Sequence, residues 1–163
     1  MANTNELTSI DTTPLQTSQG AVQPLWLSHF IEVYQQLGTD NLALLDSVYH
    51  DQVTFKDPMH LVVGLKDLRA YFDSLYTNLI SCQFEITEVM HQDNKAALYW
   101  RMTYIHKQLN KAQPITVEGH TKLIAEGDKV IYHRDYVDMG AMVYEYIPLV
   151  GRMIKYIKNR AQS

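Results

Sequence analysis

Val53-Thr54-Phe55-Lys56-Asp57-Pro58 is the segment that says most about the fold of this 163-residue chain. Apolar and polar residues alternate through residues 53–56, which is the pattern of a half-buried β-strand. Pro58 disfavours helical dihedral angles at the residue before it, so Asp57 is expected to end the strand in an extended conformation. The segment therefore predicts a carboxylate fixed at the end of a short strand.

Helical patterns lie on both sides of this strand. Apolar residues recur at three- and four-residue spacings over residues 25–37, over residues 42–49 and, after Gly64, over residues 65–79. Residues 1–24 are polar and lack such a period, so they are predicted to form a flexible tail. Three amphipathic helices are therefore expected around the strand.

Strand patterns replace helical ones in the second half of the chain. Residues 83–90, 96–107, 115–125 and 130–139 are rich in aromatic and β-branched side chains, and short polar turns separate them. Such short connections join antiparallel strands, because a parallel crossover needs a much longer one. The sequence predicts an α+β fold over residues 25–163, in which a curved antiparallel sheet forms a cone around the N-terminal helices.

This order of elements resembles the nuclear transport factor two-like superfamily, and within it the SnoaL-like, or polyketide cyclase-like, branch. The residues that carry the resemblance are the 42–64 segment with its Asp57-Pro58, the hairpin between Gly119 and Gly127, and the run Tyr132-His133-Arg134-Asp135-Tyr136-Val137-Asp138. The resemblance implies the cystatin-like cone from residue 25 onward. It does not imply one reaction, because the superfold hosts many functions.

Composition excludes several classes of function. The net charge is −4, which argues against a nucleic-acid partner. Cys82 is the single cysteine, so an intrachain disulfide and a thiolate metal site are both excluded, and a reducing compartment fits. We see no secretory signal and no apolar run long enough to span a bilayer. We expect a cytoplasmic protein that has no cofactor.

Asp57 has two interpretations that the sequence leaves open. Ketosteroid isomerases share the fold and use an Asp directly before Pro as general base, so the resemblance implies that role. Asp57 could equally cap the turn that follows it. The oxyanion donors of a ketosteroid isomerase would fall near Phe30 or Ile31 and near Gly119 or His120, and none of these supplies the required acid. A ketosteroid-type reaction is therefore not expected.

Arg101 and Asp135 form a second candidate pair. Arg101 shares one strand face with Tyr99 and Thr103, and if that face points inward, Asp135 is a plausible partner for the buried cation. The arrangement is similar to limonene-type epoxide hydrolases. However, Thr103 stands where their second carboxylate is expected, and Phe55 stands where a water-positioning Tyr is expected. A structural Arg–Asp pair is therefore preferred to an epoxide hydrolase triad.

Two histidines, His120 and His133, lie on neighbouring predicted strands and could face each other or Asp135. SnoaL-like polyketide cyclases use an inward Asp near the end of the sheet with a polar neighbour, so the resemblance implies Asp135 paired with His120. His133 is expected to contact a ligand. The alternative is that each histidine is solvated or satisfied in the core. No spacing of ligands indicates a metal site.

Two surfaces are candidates for contacts with partners. Tyr132 and Tyr136 lie on the strand face opposite Asp135, and amphipathic aromatics of this kind suit the interface of a homodimer. Residues 149–163 carry basic side chains and an apolar stripe at helical spacing. We expect this basic amphipathic helix to pack on the domain or across the dimer rather than on a membrane.

The sequence thus predicts an enclosed pocket for a hydrophobic small molecule and a cofactor-independent proton transfer of the cyclase or isomerase type. The alternative is a non-catalytic ligand-binding or protein-interaction module of the same fold. The predicted catalytic residues are Asp57, Asp135 and His120, and the predicted ligand contacts are Phe55, Tyr99, Arg101, Thr103 and His133.

Overall fold

A computed structural model of the protein describes residues 22–147 and 149–161, so the predicted tail lies almost wholly outside the described part. The helices are α1 (Leu25–Gln36), α2 (Leu45–Val48), α3 (Leu65–Thr77), α4 (Met139–Met142) and α5 (Val150–Ala161). The strands are β1 (Tyr49–Lys56), β2 (Leu61–Val63), β3 (Leu79–Gln92), β4 (Lys95–His106), β5 (Ile115–Glu126) and β6 (Lys129–Val137). Short 3-10 turns are found at Leu42–Leu44, Asn110–Ala112 and Tyr144–Tyr146.

The six strands form one open sheet in the order β2-β1-β6-β5-β4-β3. Strands β3 to β6 form the expected antiparallel meander, and β2 pairs antiparallel with β1. Strand β1 pairs in parallel with β6, and this pairing places Phe55 opposite His133. The N-terminal strand therefore lies beside the last strand, and the two strands that carry most of the polar candidates become neighbours.

Helix α1 covers the concave face of the sheet because its apolar side chains share one stripe. Trp26, Leu27, Phe30, Val33 and Tyr34 are all buried. Each large apolar side chain removed from water contributes about 1.5–3 kcal/mol relative to an exposed position. The helix is therefore held by its packing against the sheet.

Helix α3 closes the cone from the other side. Leu68, Phe72 and Tyr76 follow a four-residue spacing and are buried. Gly64 comes directly before the helix with φ of 93°, a conformation that residues with a side chain rarely adopt. Its N–H donates to Val53 O at 2.7 Å, so this glycine joins the start of α3 to the predicted strand.

Several element boundaries differ from the predicted ones because pairing between strands overrides local pattern. Helix α3 ends at Thr77 and β3 begins at Leu79, which pairs with His106. Strand β1 begins at Tyr49, predicted as helical, because this residue pairs with Val130. The three-residue strand β2 was not predicted, since it is too short to show a period.

The prediction that Arg101 pairs with Asp135 is wrong, because Arg101 lies on the outer face of the sheet. In β4 the even-numbered positions Trp100, Met102 and Tyr104 are buried. Their apolar area outweighs that of the odd-numbered positions, so the odd-numbered side chains turn outward. Arg101 makes ion pairs of 3.1 Å with Glu85 and with Glu118, and its side chain is 44% exposed.

Helix α5 corresponds to the predicted basic amphipathic helix. It contacts the Tyr144–Tyr146 turn, and Lys158 Nζ donates to Glu145 Oε1 at 2.5 Å. Met153, Tyr156 and Ile157 remain exposed. Within residues 22–147 and 149–161, none of the helices is both long and apolar enough to cross a bilayer.

Gly119 provides a test of this packing. A Cβ at residue 119 would lie 2.3 Å from the Trp100 ring and 2.8 Å from Tyr136 O, so Gly119→Ala must displace the buried indole. We expect this variant to lose about 1–3 kcal/mol of unfolding free energy, the range for overpacked cores. Gly38→Ala is the control, because its Cβ would meet nothing closer than 3.4 Å. Equal urea midpoints for the two variants would contradict the close contact.

Candidate functional site

A cavity of about 400 Å³ lies between α3, the inner face of the sheet and the start of α4. Most of its walls are apolar, and they include Phe72, Leu75, Leu79, Phe84, Met102 and Val137. Two carboxylates, Asp57 and Asp135, are among the lining residues. The two acids that the sequence singled out therefore belong to the same cavity, although Asp57 follows the first strand and Asp135 lies on the last.

Asp57 is fixed by three hydrogen bonds. Its Oδ1 accepts from the backbone N–H of Met59 at 2.7 Å and of His60 at 2.6 Å. Its Oδ2 accepts from the hydroxyl of Tyr71 on α3. The pKa of Tyr71 is raised above its ordinary value, mainly by burial and to a smaller extent by the hydrogen bond to Asp57. The phenol therefore stays neutral. The carboxylate thus caps the turn after β1 and also lines the cavity.

Asp135 is held differently, because only one of its oxygens is occupied. Oδ1 accepts from the Thr121 hydroxyl and lies 2.8 Å from His133 Nε2. Trp100 Nε1 donates to Thr121 Oγ1 at 2.8 Å, which orients the hydroxyl toward Asp135. Oδ2 makes no hydrogen bond to any described residue, and the side chain is 23% exposed. One oxygen of Asp135 is therefore anchored, and the other has no hydrogen-bond partner among the described residues.

A chain of hydrogen bonds behind Asp135 crosses the core. His133 is 1% exposed, and its Nδ1 lies 2.6 Å from the Tyr49 hydroxyl. The Tyr49 hydroxyl is in turn bonded to the Tyr34 hydroxyl. A carboxylate only accepts, so a neutral His133 donates from Nε2 to Asp135 and accepts at Nδ1 from Tyr49. The chain then runs in one direction, from Tyr34 to Asp135.

Burial keeps the two phenols of this chain uncharged. The pKa values of Tyr34 and Tyr49 lie well above the ordinary value, and removal from water is the main cause for both. Two neutral phenols therefore lie behind His133 in an environment where a hydrogen bond is stronger than in water.

Phe55 separates the two carboxylate centres. Its ring centroid lies 5.8 Å from that of Tyr71, the partner of Asp57. On the other side the distance to the ring centroid of His133, the partner of Asp135, is 4.7 Å. The predicted ligand contact Phe55 does line the cavity, whereas His133 supports Asp135 from behind.

Four of the other predicted site residues lie outside the cavity. His120 is on the outer face of β5, where its ring is 4.6 Å from Tyr136 and 5.5 Å from Tyr99, centroid to centroid. Thr103 bonds the Thr116 hydroxyl at 2.9 Å on the same outer face as Arg101. The predicted partnership of His120 with Asp135 is therefore corrected: the histidine beside Asp135 is His133, two residues away on its own strand.

Sequence reasoning missed the residues that complete the hydrogen-bonded chains. Tyr34, Tyr49 and Tyr71 fall within the apolar repeats that predict helices over residues 25–37, 42–49 and 65–79, and nothing in the pattern distinguishes Thr121 within its strand. One signal was present, since Tyr49 lies an even number of residues before Val53 and Phe55 and all three are buried, although Asp51 between them is exposed. Within residues 22–147 and 149–161, no group of three or more His, Cys, Asp or Glu could hold a metal ion.

Cys82 and its neighbours give the cavity neutral polar groups. Burial raises the pKa of the Cys82 thiol to about 11, and Tyr76 donates a hydrogen bond to its sulfur at 3.8 Å. Burial also raises the pKa of Tyr104 to about 12, and its hydroxyl donates to Met142 O. A protonated thiol is a poor nucleophile, so Cys82 is a wall residue rather than a catalytic thiolate.

Comparisons with known proteins agree with this architecture. The protein-family model described as a SnoaL-like domain matches residues 30–133. A search of curated proteins found no match. A putative SnoaL-like polyketide cyclase from Jannaschia sp. CCS1 has a TM-score of 0.68 and 12% identity, over 78% of this chain and 97% of that chain.

Two further solved structures are similar. A hypothetical protein from Catenulispora acidiphila with the ketosteroid isomerase-like fold, in complex with trimethylamine, has a TM-score of 0.65 and 13% identity, over 77% of this chain and 93% of that chain. A putative polyketide cyclase from Acidithiobacillus ferrooxidans has a TM-score of 0.64 and 12% identity, over 77% of this chain and 96% of that chain. At such identities the similarity shows the fold alone. The predicted fold is confirmed.

The lone thiol offers a test of the cavity wall. In the folded protein, the rate of Cys82 alkylation by iodoacetamide should reach half its maximum near pH 11, because burial raises the thiol pKa to about 11. In urea the midpoint should fall to about 8.5, the value of a free cysteine. The rate is measured by mass spectrometry over a pH series. Identical midpoints in the folded and unfolded protein would show that the thiol is not buried.

Proposed function

We propose that this protein, which belongs to the SnoaL-like domain family, is a cofactor-independent enzyme. Its reaction would move a proton on an apolar small molecule. The observation that supports this most is Asp135. One of its oxygens is fixed by Thr121 and His133, and the other has no partner among the described residues of a largely apolar cavity. Such a carboxylate is suited to act as general base and then as general acid.

The chemistry needs no further reactant. Asp135 Oδ2 takes a proton from a carbon next to a carbonyl, and the electron pair of the broken C–H bond moves toward the carbonyl oxygen. The new O–H group of Asp135 then returns the proton to another carbon of the conjugated system, or the carbanion attacks a second carbonyl carbon to close a ring and the alkoxide oxygen formed there takes the proton back from Asp135. Isomerisation and cyclisation of the polyketide cyclase type both follow this course.

In this proposal His133 is a positioning residue. Its imidazole lies between Tyr49 and Asp135, and the rings of Phe55 and Phe30 pack against it at 4.7 and 5.9 Å. The imidazole cannot rotate without breaking a buried hydrogen bond, and an unpaired buried group costs about 1–3 kcal/mol. The carboxylate of Asp135 is therefore held in one orientation, which is what proton transfer requires.

The size and lining of the cavity suit a small organic ligand. Its volume of about 400 Å³ falls within the range of roughly 300–1,000 Å³ that such ligands occupy. Met59, Met102, Met139 and Met142 contribute to the walls. Methionine adapts its shape to a bound molecule, so the same walls also support the alternative function, a module that binds an apolar ligand without converting it.

We also propose that two copies associate through the outer face of the sheet. Tyr99 and Tyr136 are 39% and 38% exposed there, and His120 stacks between them. Arg134 lies 4.6 Å from the Tyr136 ring. Exposed aromatic and Arg side chains are enriched at interfaces.

With one free cysteine and no disulfide, the proposed dimer fits a reducing compartment, the cytoplasm.

Asp135→Asn tests the catalytic proposal. We expect the wild type to accelerate exchange of C–H protons for deuterium in a panel of apolar ketones, and the variant to lose about 10²–10⁴-fold of that rate, because an amide cannot accept the proton. Exchange is followed by NMR in D₂O. Asp128→Asn is the control, since residue 128 is exposed in the turn between β5 and β6.

Three results bear on this test. Loss of exchange in Asp135→Asn alone supports the proposal. Equal rates in Asp135→Asn and the wild type would rule out Asp135 as the base. Binding of panel members without exchange in the wild type would favour the non-catalytic module.

Tyr136→Glu tests the dimer. A carboxylate on the outer face would be buried against the second copy without a partner, so we expect the dimer to dissociate at micromolar concentration in sedimentation velocity. Tyr156→Glu makes the same chemical change on α5, where the side chain is 62% exposed, and should leave the dimer intact. A wild type that sediments as a monomer throughout would contradict the proposal.

A further inference from the structure

The charge of the cavity indicates which class of molecule it accepts. Asp57 and Asp135 both line it, whereas no Arg or Lys does so in the part of the chain that the structure describes. The phenol and thiol groups of the wall stay neutral, because burial raises the pKa of Tyr104 to about 12 and that of Cys82 to about 11. The pKa values of Tyr71 and Tyr76 are raised as well. The walls therefore carry negative charge.

One histidine, His106, lines the cavity, and its Nδ1 accepts a hydrogen bond from the Gln108 N–H at 3.0 Å. His60 Nδ1 is 3.9 Å from Asp57 Oδ1, but its side chain is 53% exposed and is not part of the cavity lining. The described wall residues thus include no Arg or Lys that would balance the two carboxylates, and a cationic ligand would supply the missing positive charge.

Asp57 has the geometry of an anchor for a cation. Three donors hold its carboxylate in place, and the side chain is only 11% exposed. The ring of Tyr71 adjoins it, and the Phe55 ring lies 5.8 Å from the Tyr71 ring. A fixed carboxylate beside aromatic rings is an arrangement that attracts ammonium groups, through charge and through the negative faces of the rings.

We propose that the cavity accepts an apolar molecule that carries a cationic nitrogen, with the cation at Asp57 and the apolar body extending along the walls toward Asp135. This inference shares one premise with the proposed function, which is that the ligand binds in this cavity. It gives the two carboxylates separate roles. Asp57 binds the charge and Asp135 moves the proton. The same electrostatics exclude anionic ligands, because a third negative charge in an apolar cavity would have no partner.

The role of Asp57 as a turn cap does not explain these features. Capping needs only Oδ1, which accepts both backbone N–H groups. Asn caps about as well as Asp, so the turn survives the substitution Asp57→Asn while the charge is lost. The substitution therefore separates a structural role from recognition of a cation.

The test uses three probes of nearly the same shape: a naphthylmethyl trimethylammonium ion, the neutral compound in which carbon replaces the nitrogen, and naphthylacetate. Affinities are measured by calorimetry at pH 8, where imidazoles are neutral. Protection of Cys82 from alkylation reports that the probe occupies the cavity, because Cys82 lines it. We expect the ammonium probe to bind about tenfold or more tightly than the neutral one, and naphthylacetate not to bind.

The variants locate the cation. Asp57→Asn should bring the ammonium and neutral probes to within about threefold of each other without weakening the neutral probe. Asp128→Asn also removes one negative charge, but at an exposed turn, and should keep the preference. Circular dichroism and thermal unfolding verify that both variants fold.

Several outcomes would overturn the inference. They are equal binding of the ammonium and neutral probes to the wild type, no binding of the ammonium probe, or a cation preference that persists in Asp57→Asn. The comparison of probes on the wild type decides the matter even if Asp57→Asn does not fold. An effect of Asp135→Asn on proton exchange is measured separately, so failure of the proposed reaction and failure of this inference give different results.

Discussion

A directed chain of hydrogen bonds from Tyr34 through Tyr49 and His133 to Asp135 is the constraint on which the site depends. It joins helix α1, strand β1 and strand β6 inside the core. Buried polar groups are costly when unpaired, so the chain forms only if all three elements are in place together. The geometry of the free Asp135 oxygen is therefore set by the packing of the whole cone rather than by its own strand.

The parallel pairing of β1 with β6 places the two acids in the wall of the same cavity. Phe55 and His133 are opposite each other in that pairing, and each is two residues from a cavity carboxylate along its own strand. Alternation along the strands then places Asp57 and Asp135 on the inner face. A shift of one residue in either strand would turn one carboxylate outward, where Arg101 and His120 now lie.

The two carboxylates are held in contrasting ways, and this difference underlies the roles proposed for them. All the hydrogen bonds of Asp57 come from its own turn and from Tyr71, so both its oxygens are engaged and its charge is fixed in place. Asp135 is engaged on one oxygen only. A carboxylate whose two oxygens both accept hydrogen bonds is held in place and suits binding of a cationic group. A carboxylate with one oxygen free of hydrogen bonds suits transfer of a proton.

The amino-acid sequence by itself determined the α+β class, most of the helices and strands, and the two acids, because periodicity and the Asp57-Pro58 corner are local properties. Only the tertiary structure decided which strand faces point inward. By local pattern, either the odd-numbered or the even-numbered positions of β4 could face inward. The even-numbered side chains Trp100, Met102 and Tyr104 are buried in the folded protein, whereas Arg101 is exposed. The partner of Asp135 was likewise beyond the sequence. His120 and His133 are equivalent in local pattern, and the choice between them follows from strand register and from hydrogen bonds to Tyr49, which is 84 residues away from His133 along the chain.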